Sequence, residues 1–174
     1  AYVLQQLYEE IVFNFTIWER LHFPIVLGHA QYISTMIKND RKNFRKTFGV
    51  QFFLDVIRTH FGAPTNFTFD DAKTIRSTLF AIIRFYLQKD VNIKEINAIL
   101  SFFTLPLTYR VEQVLVELVE MLTFLIKNKN CKDQLILLLH ESSNIIYNCL
   151  IDRNNTELIQ EAAVRVSRNY SNYI

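Results

Sequence analysis

Between Val50 and Phe61 the apolar residues Val50, Phe53, Leu54, Ile57 and Phe61 recur at i, i+3, i+4, i+7 and i+11. That spacing gathers them on one face of an α-helix, with Gln51, Asp55, Arg58 and Thr59 on the other. A strand would need alternation at a period of two, which this stretch lacks. Gly62-Ala63-Pro64 then supplies a stop. The same helical period recurs along the chain. Gly and Pro number only 3 each in 174 residues, too few for the turns of a mostly β protein. An all-α fold is expected.

Other helices follow from the same pattern. Ala1 to Asn14 is apolar at Val3, Leu4, Leu7, Tyr8, Ile11 and Val12. Pro24 suits a helix start, because its missing N–H costs nothing there, so the next helix runs from about Pro24 to Asn39. Asp70 and Asp71 cap or charge the start of a helix that puts Ile75, Leu79, Ile82, Ile83 and Tyr86 on one side. Asn92 caps a shorter one with Ile93, Ile96, Ile99, Leu100 and Phe103, closed by Pro106. The longest spans about Tyr109 to Lys127 and turns Val111, Val114, Leu115, Leu118, Leu122 and Leu125 inward. Gln134 to Leu139, Asn144 to Leu150 and a last helix from Thr156 complete eight or nine. Phe52-Phe53-Leu54 and Leu135 to Leu139 could be buried strands in isolation, but their helical neighbours argue against it.

These helices pair at intervals near the roughly 40–47 residues of armadillo or HEAT units. A stack of that kind, in which each pair needs a neighbour to bury its apolar face, is the expected architecture; an irregular helical bundle is the alternative. The chain begins inside a helical pattern and ends on Tyr173-Ile174 without a stop signal. It therefore reads as a single helical fragment, 1–174, of a longer protein.

Half of the residues are hydrophobic, including 15 Phe and 8 Tyr, which is ample for a core. The net charge of +2 is close to balance and gives no general pull toward nucleic acid. No apolar run reaches the roughly 20 residues that span a bilayer. The longest candidate, Val111 to Ile126, carries Glu112, Glu117 and Glu120. Cys131 and Cys149 lie in apolar helical context and read as free thiols of a reducing compartment. Sequons at Asn14, Asn66, Asn154 and Asn169 are of the kind an Asn-rich chain produces by chance.

No phosphate-binding loop, dinucleotide fingerprint, HExxH or CxxC motif occurs, so no cofactor and no catalytic residue is assigned. His22, His29, His60 and His140 are scattered, and His29 beside Gly28 reads as a packing residue. The adjacent carboxylates Glu9-Glu10 and Asp70-Asp71 point in different directions on a helix and serve its dipole. The strongest local feature is the basic hinge Lys38 to Lys46. There Lys38, Arg41, Lys42, Arg45 and Lys46 surround Phe44 and Phe48, with Asp40 the one acid. Two readings stand. The hinge is a solvated turn anchored in the core by its two Phe residues, or its cations contact an acidic partner or an anionic membrane surface.

The run Gly49-Val50-Gln51-Phe52-Phe53-Leu54-Asp55-Val56-Ile57-Arg58-Thr59, within the longer stretch from Gly28 to Phe61, resembles the helical-repeat segment of BEACH-domain proteins of the neurobeachin and neurobeachin-like branch. The resemblance continues through Lys73-Thr74-Ile75-Arg76 with Leu79, then Gln134 to Leu139, then Ile145 to Leu150. It implies an armadillo-type region upstream of PH-like and BEACH domains. Its expected role is that of a non-enzymatic scaffold in vesicle and membrane traffic, cytoplasmic and peripheral to endomembranes. Its expected partners are other proteins or other domains of the parent chain, not nucleic acid.

Overall fold

The computed structural model describes residues 2–62 and 66–104, together with Glu120, Met121, Asp133, Ile136, His140, Val164 and Arg168. Every described element is a helix, and no strand occurs among the described residues. Phe52-Phe53-Leu54 accordingly lies within a helix. The seven α-helices with bounds among the described residues are α1 (Tyr2–Leu7), α2 (Phe15–Trp18), α3 (Phe23–Asn39), α4 (Arg41–Thr47), α5 (Val50–Phe61), α6 (Phe69–Tyr86) and α7 (Ile93–Thr104). A π-helix, Tyr8–Val12, follows α1 directly. The chain forms two compact units, Ala1–Tyr86 and Leu87–Ile174. No described helix is long and apolar enough to cross a membrane. The expected helix from Tyr109 to Lys127 lies outside the described residues, except that Glu120 and Met121 are helical. Of the later segments, Gln134 to Leu139 and the last helix from Thr156 lie outside the described residues apart from the helical Ile136, Val164 and Arg168, and Asn144 to Leu150 lies wholly outside them.

In the first unit, α6 packs against both α3 and α5 and is the centre of the core. The face anticipated for α5 is the buried one: Val50, Phe53, Leu54, Ile57 and Phe61 are all enclosed, joined by Val56. Gln51, Asp55 and Thr59 are exposed opposite them. On α6, Ile75, Leu79, Ile82, Ile83 and Tyr86 are buried as expected, with Ala72, Arg76 and Phe80. Pro24 occupies the first turn of α3, where its lack of an N–H leaves no bond unmade. Val26, Ala30, Ile33 and Ile37 form the inner stripe of α3.

At the helix ends some expectations change and others hold. The first helix is not a single α-helix from Ala1 to Asn14. It ends at Leu7 and widens into the π-helix, where the N–H of Phe13 donates to the carbonyl of Tyr8, five residues back, at 2.8 Å. Its stripe is not core either: Val3, Leu4, Leu7 and Ile11 are exposed. The burial begins one step later, at Phe13 and Phe15, because the chain turns there and drives those two rings inward. The cap of α6 is Thr68, whose Oγ1 accepts the N–H of Asp71 at 3.2 Å, and Asp70 and Asp71 sit in the first turn as dipole charges. Asn92 caps α7 as expected and does so reciprocally. Its Oδ1 accepts the Glu95 N–H at 2.9 Å, and Glu95 Oε2 accepts the Asn92 N–H at 3.1 Å. In the second unit Ile96 and Ile99 of α7 are buried, whereas Ile93, expected on that stripe, is exposed in its first turn.

Candidate functional site

The basic segment Lys38 to Lys46 is built from the end of α3 and nearly all of α4. Its residues 41–46 therefore belong to a seven-residue helix, α4, rather than to a turn. Asp40 separates the two helices in a non-helical conformation. Its carbonyl accepts the Phe44 N–H at 3.2 Å, and its carboxylate accepts from Asn43 Nδ2 at 2.9 Å. Lys38 lies in the last turn of α3, and Arg45 and Lys46 in the last turn of α4, where cations complement the carbonyl end of the dipole.

The five cations do not share one environment. Lys38, Lys42 and Lys46 are exposed, whereas Arg41 and Arg45 are half-buried. Arg41 turns inward to the end of α6. Its Nε donates to the Phe85 carbonyl at 3.3 Å, its Nη2 donates to the Tyr86 carbonyl, and the guanidinium lies 5.9 Å from the Phe85 ring centroid. The last carbonyls of a helix have no intrahelical donor, so Arg41 caps α6 from a distant point of the chain. Arg45 lies close enough to Tyr86 to favour its phenolate. Burial nevertheless wins and pushes the Tyr86 phenol well above its ordinary range. Arg76 repeats the Arg41 device. This buried guanidinium donates from Nη1 to the carbonyl of Phe61, the last residue of α5, at 2.8 Å.

The two Phe residues of the segment anchor it as the structural reading anticipates. Phe48 stacks on Phe13 with centroids 3.8 Å apart and planes 5° from parallel. Phe44 meets Phe13 at 5.8 Å and Tyr8 edge-on at 5.4 Å. Phe52 and Phe53 close the other side of Phe13. Outside this cluster, α1, α3 and α4 leave an open cleft of about 500 Å³ whose walls include Leu4, Tyr8, Met36, Phe44 and Phe48, with Asn39, Asp40 and Asn43 among its polar groups.

Among the described residues no group of acids, histidines and cysteines is arranged to hold a metal ion. Cys131 and Cys149 lie outside the described residues. His22 and His140 are exposed. His29 is the packing residue expected: it is buried, lies flat on Trp18 at 3.4 Å between centroids, and its Nε2 meets the Val12 carbonyl at 2.7 Å. Burial lowers its pKa, opposed by that carbonyl. His60 Nδ1 meets Glu19 Oε2 at 2.5 Å, an ion pair whenever the imidazole is protonated. Asn14, the first sequon, already donates from Nδ2 to the Glu10 carbonyl at 3.2 Å.

Sequence spacing identified the cations and the two Phe anchors. It missed the division of labour between lysines and arginines, the aromatic hub at Phe13 and the cleft. Each depends on segments far apart in the chain, such as Arg41 and Phe85, and no local signal links them. No family model matches the chain, and no solved structure matches it.

Proposed function

We propose that this chain is a non-enzymatic scaffold segment, an armadillo-like stack of helix pairs from a BEACH-family, neurobeachin-like protein of vesicle and membrane traffic. In this reading it is cytoplasmic, peripheral to endomembranes, and presents helix faces to partner proteins or to other domains of its parent chain. The observation that carries the interaction role is the exposed apolar stripe of α1 and the π-helix, Val3, Leu4, Leu7 and Ile11, beside the open cleft. Contiguous apolar surface of this kind marks contact sites more often than bare solvent-facing helix. The resemblance along Gly28 to Phe61 supports the family. Affinity capture with the whole chain tests the interaction role. The double variant Leu4→Asp, Leu7→Asp should lose partners that wild type retains. Unchanged capture would remove the stripe from the interaction surface.

A second reading, a membrane-surface adaptor, is favoured by one observation: Lys42 and Lys46 are exposed one turn apart on α4, with Lys38 exposed just before them. Each lysine near an anionic bilayer contributes about 1 kcal/mol. Sedimentation with phosphatidylserine vesicles separates the readings. Under the scaffold reading, Lys42→Glu with Lys46→Glu leaves partner capture intact and changes no vesicle binding. Under the adaptor reading, that variant abolishes vesicle binding seen with wild type.

A further inference from the structure

The N-terminal segment, residues 2–19, is held to its unit from Tyr8 onward: Tyr8 and Phe13 meet the rings of Phe44, Phe48, Phe52 and Phe53, Phe15 meets Phe61, and Glu19 meets His60. α1 and the π-helix bury no side chain. Phe13 and Phe15 are buried, and two hydrogen bonds secure the end of the π-helix: Trp18 Nε1 donates to the Ile11 carbonyl at 2.8 Å, and His29 Nε2 meets the Val12 carbonyl at 2.7 Å. The two rings that make these bonds are themselves stacked, with planes 5° apart. We propose that the His29–Trp18 stack is an acid-sensitive latch that fastens this N-terminal segment to α3 and loosens when His29 takes up a proton.

The neutral imidazole suits the site. As the Nε2–H tautomer it donates to Val12, and among the described residues this is its one hydrogen bond. A second proton would go to Nδ1 and place a full charge in a side chain only 8% exposed. No described carboxylate pairs with it. On the elements near His29, the π-helix carries Glu9 and Glu10, Glu19 follows α2 directly, α5 carries Asp55, Arg58 and His60, and α6 carries Asp70, Asp71, Lys73, Arg76 and Arg84. Its own helix carries Lys38. Glu19 is engaged by His60, and burial is the dominant influence on His29, opposed by the Val12 carbonyl. Attraction of the imidazolium to the Trp18 face returns part of the cost. Because the folded pKa lies below the ordinary 6.5, the latch contributes fully above that pH and is lost as pH falls through the folded value. The population of released segment should rise about tenfold for each unit between the two values.

Trp18 is the chain's one tryptophan, so its fluorescence reads the latch directly. The experiment is a titration of the whole chain from about pH 8 to about pH 5, following Trp18 emission, far-UV circular dichroism and limited proteolysis. The expected result is an emission change with a midpoint below 6.5 and faster cleavage within residues 2–19, with most helix signal retained. His29→Gln should flatten the emission change, and His60→Gln should keep it. Persistence of the same transition in His29→Gln, or cleavage that is independent of pH, overturns the proposal. If His29→Gln fails to fold, imidazole resonances of the wild-type chain decide. A His29 midpoint at or above 6.5 overturns the latch, and one below it with concurrent loosening supports it.

Discussion

Single residues in the first unit divide by what surrounds them rather than by type. Leu54 is 1% exposed and its side chain is wholly enclosed. Leu54→Ala should lower stability by about 2–5 kcal/mol, read as a shifted denaturant midpoint. Gly49 precedes α5, and a Cβ there would stand 2.5 Å from the backbone carbonyl of Arg45. That oxygen belongs to α4 and cannot swing aside, so Gly49→Ala should cost about 1–3 kcal/mol in a thermal or denaturant melt. Tyr86 is the opposite case. Its ring is fully buried, and its hydroxyl has no hydrogen-bond partner among the described residues. Removing an unsatisfied buried hydroxyl is neutral or favourable, so Tyr86→Phe should be at least as stable as wild type, by up to about 1 kcal/mol. A large loss in that variant would reveal a partner for the hydroxyl.

At the scale of elements, the ends of α5 and α6 are finished by arginines from elsewhere: Arg76 reaches Phe61, and Arg41 reaches Phe85 and Tyr86. Charge-assisted bonds to orphan carbonyls are stronger than neutral ones. Arg41→Met keeps the stem of the side chain and removes the donors. It should cost about 1–3 kcal/mol in a denaturant melt, whereas Lys42→Met, on an exposed position one residue later, should stay within about 0.5 kcal/mol. Equal effects would mean that the segment acts only through its total charge. The contrast also narrows the cationic surface. Of the five basic residues named from sequence, Lys38, Lys42 and Lys46 face solvent, while Arg41 is committed to the fold.

For the molecule as a whole, the described elements are helices in both units. Far-UV circular dichroism should show the paired helical minima, and a single β minimum would contradict the fold class. The scaffold reading carries a chemical expectation: in a reducing compartment Cys131 and Cys149 stay as thiols. Thiol titration of unreduced, denatured protein should count both, and a mass lower by two hydrogen atoms would place them in a disulfide.

The helix period is written into local spacing, because burying one face of a helix demands apolar residues three and four apart. That is why Val50 to Phe61, Ile75 to Tyr86 and the Asn92 start of α7 could be read directly. The same rule overreached at Val3, Leu4, Leu7 and Ile11. An apolar stripe states what a helix could bury, not whether a partner element lies against it. Charge was legible as a count but not as a role. Lys38 to Lys46 looks uniformly basic in sequence, yet the approach of α6 takes Arg41 for its own carbonyls and leaves the lysines outside. Likewise Trp18 and His29 meet only because the chain turns back between them before Pro24. Local periodicity fixes which faces are apolar through short-range sterics and hydration. Which faces meet, which cations are consumed and which histidine loses its water are consequences of long-range packing, and these emerge only when distant helices come together.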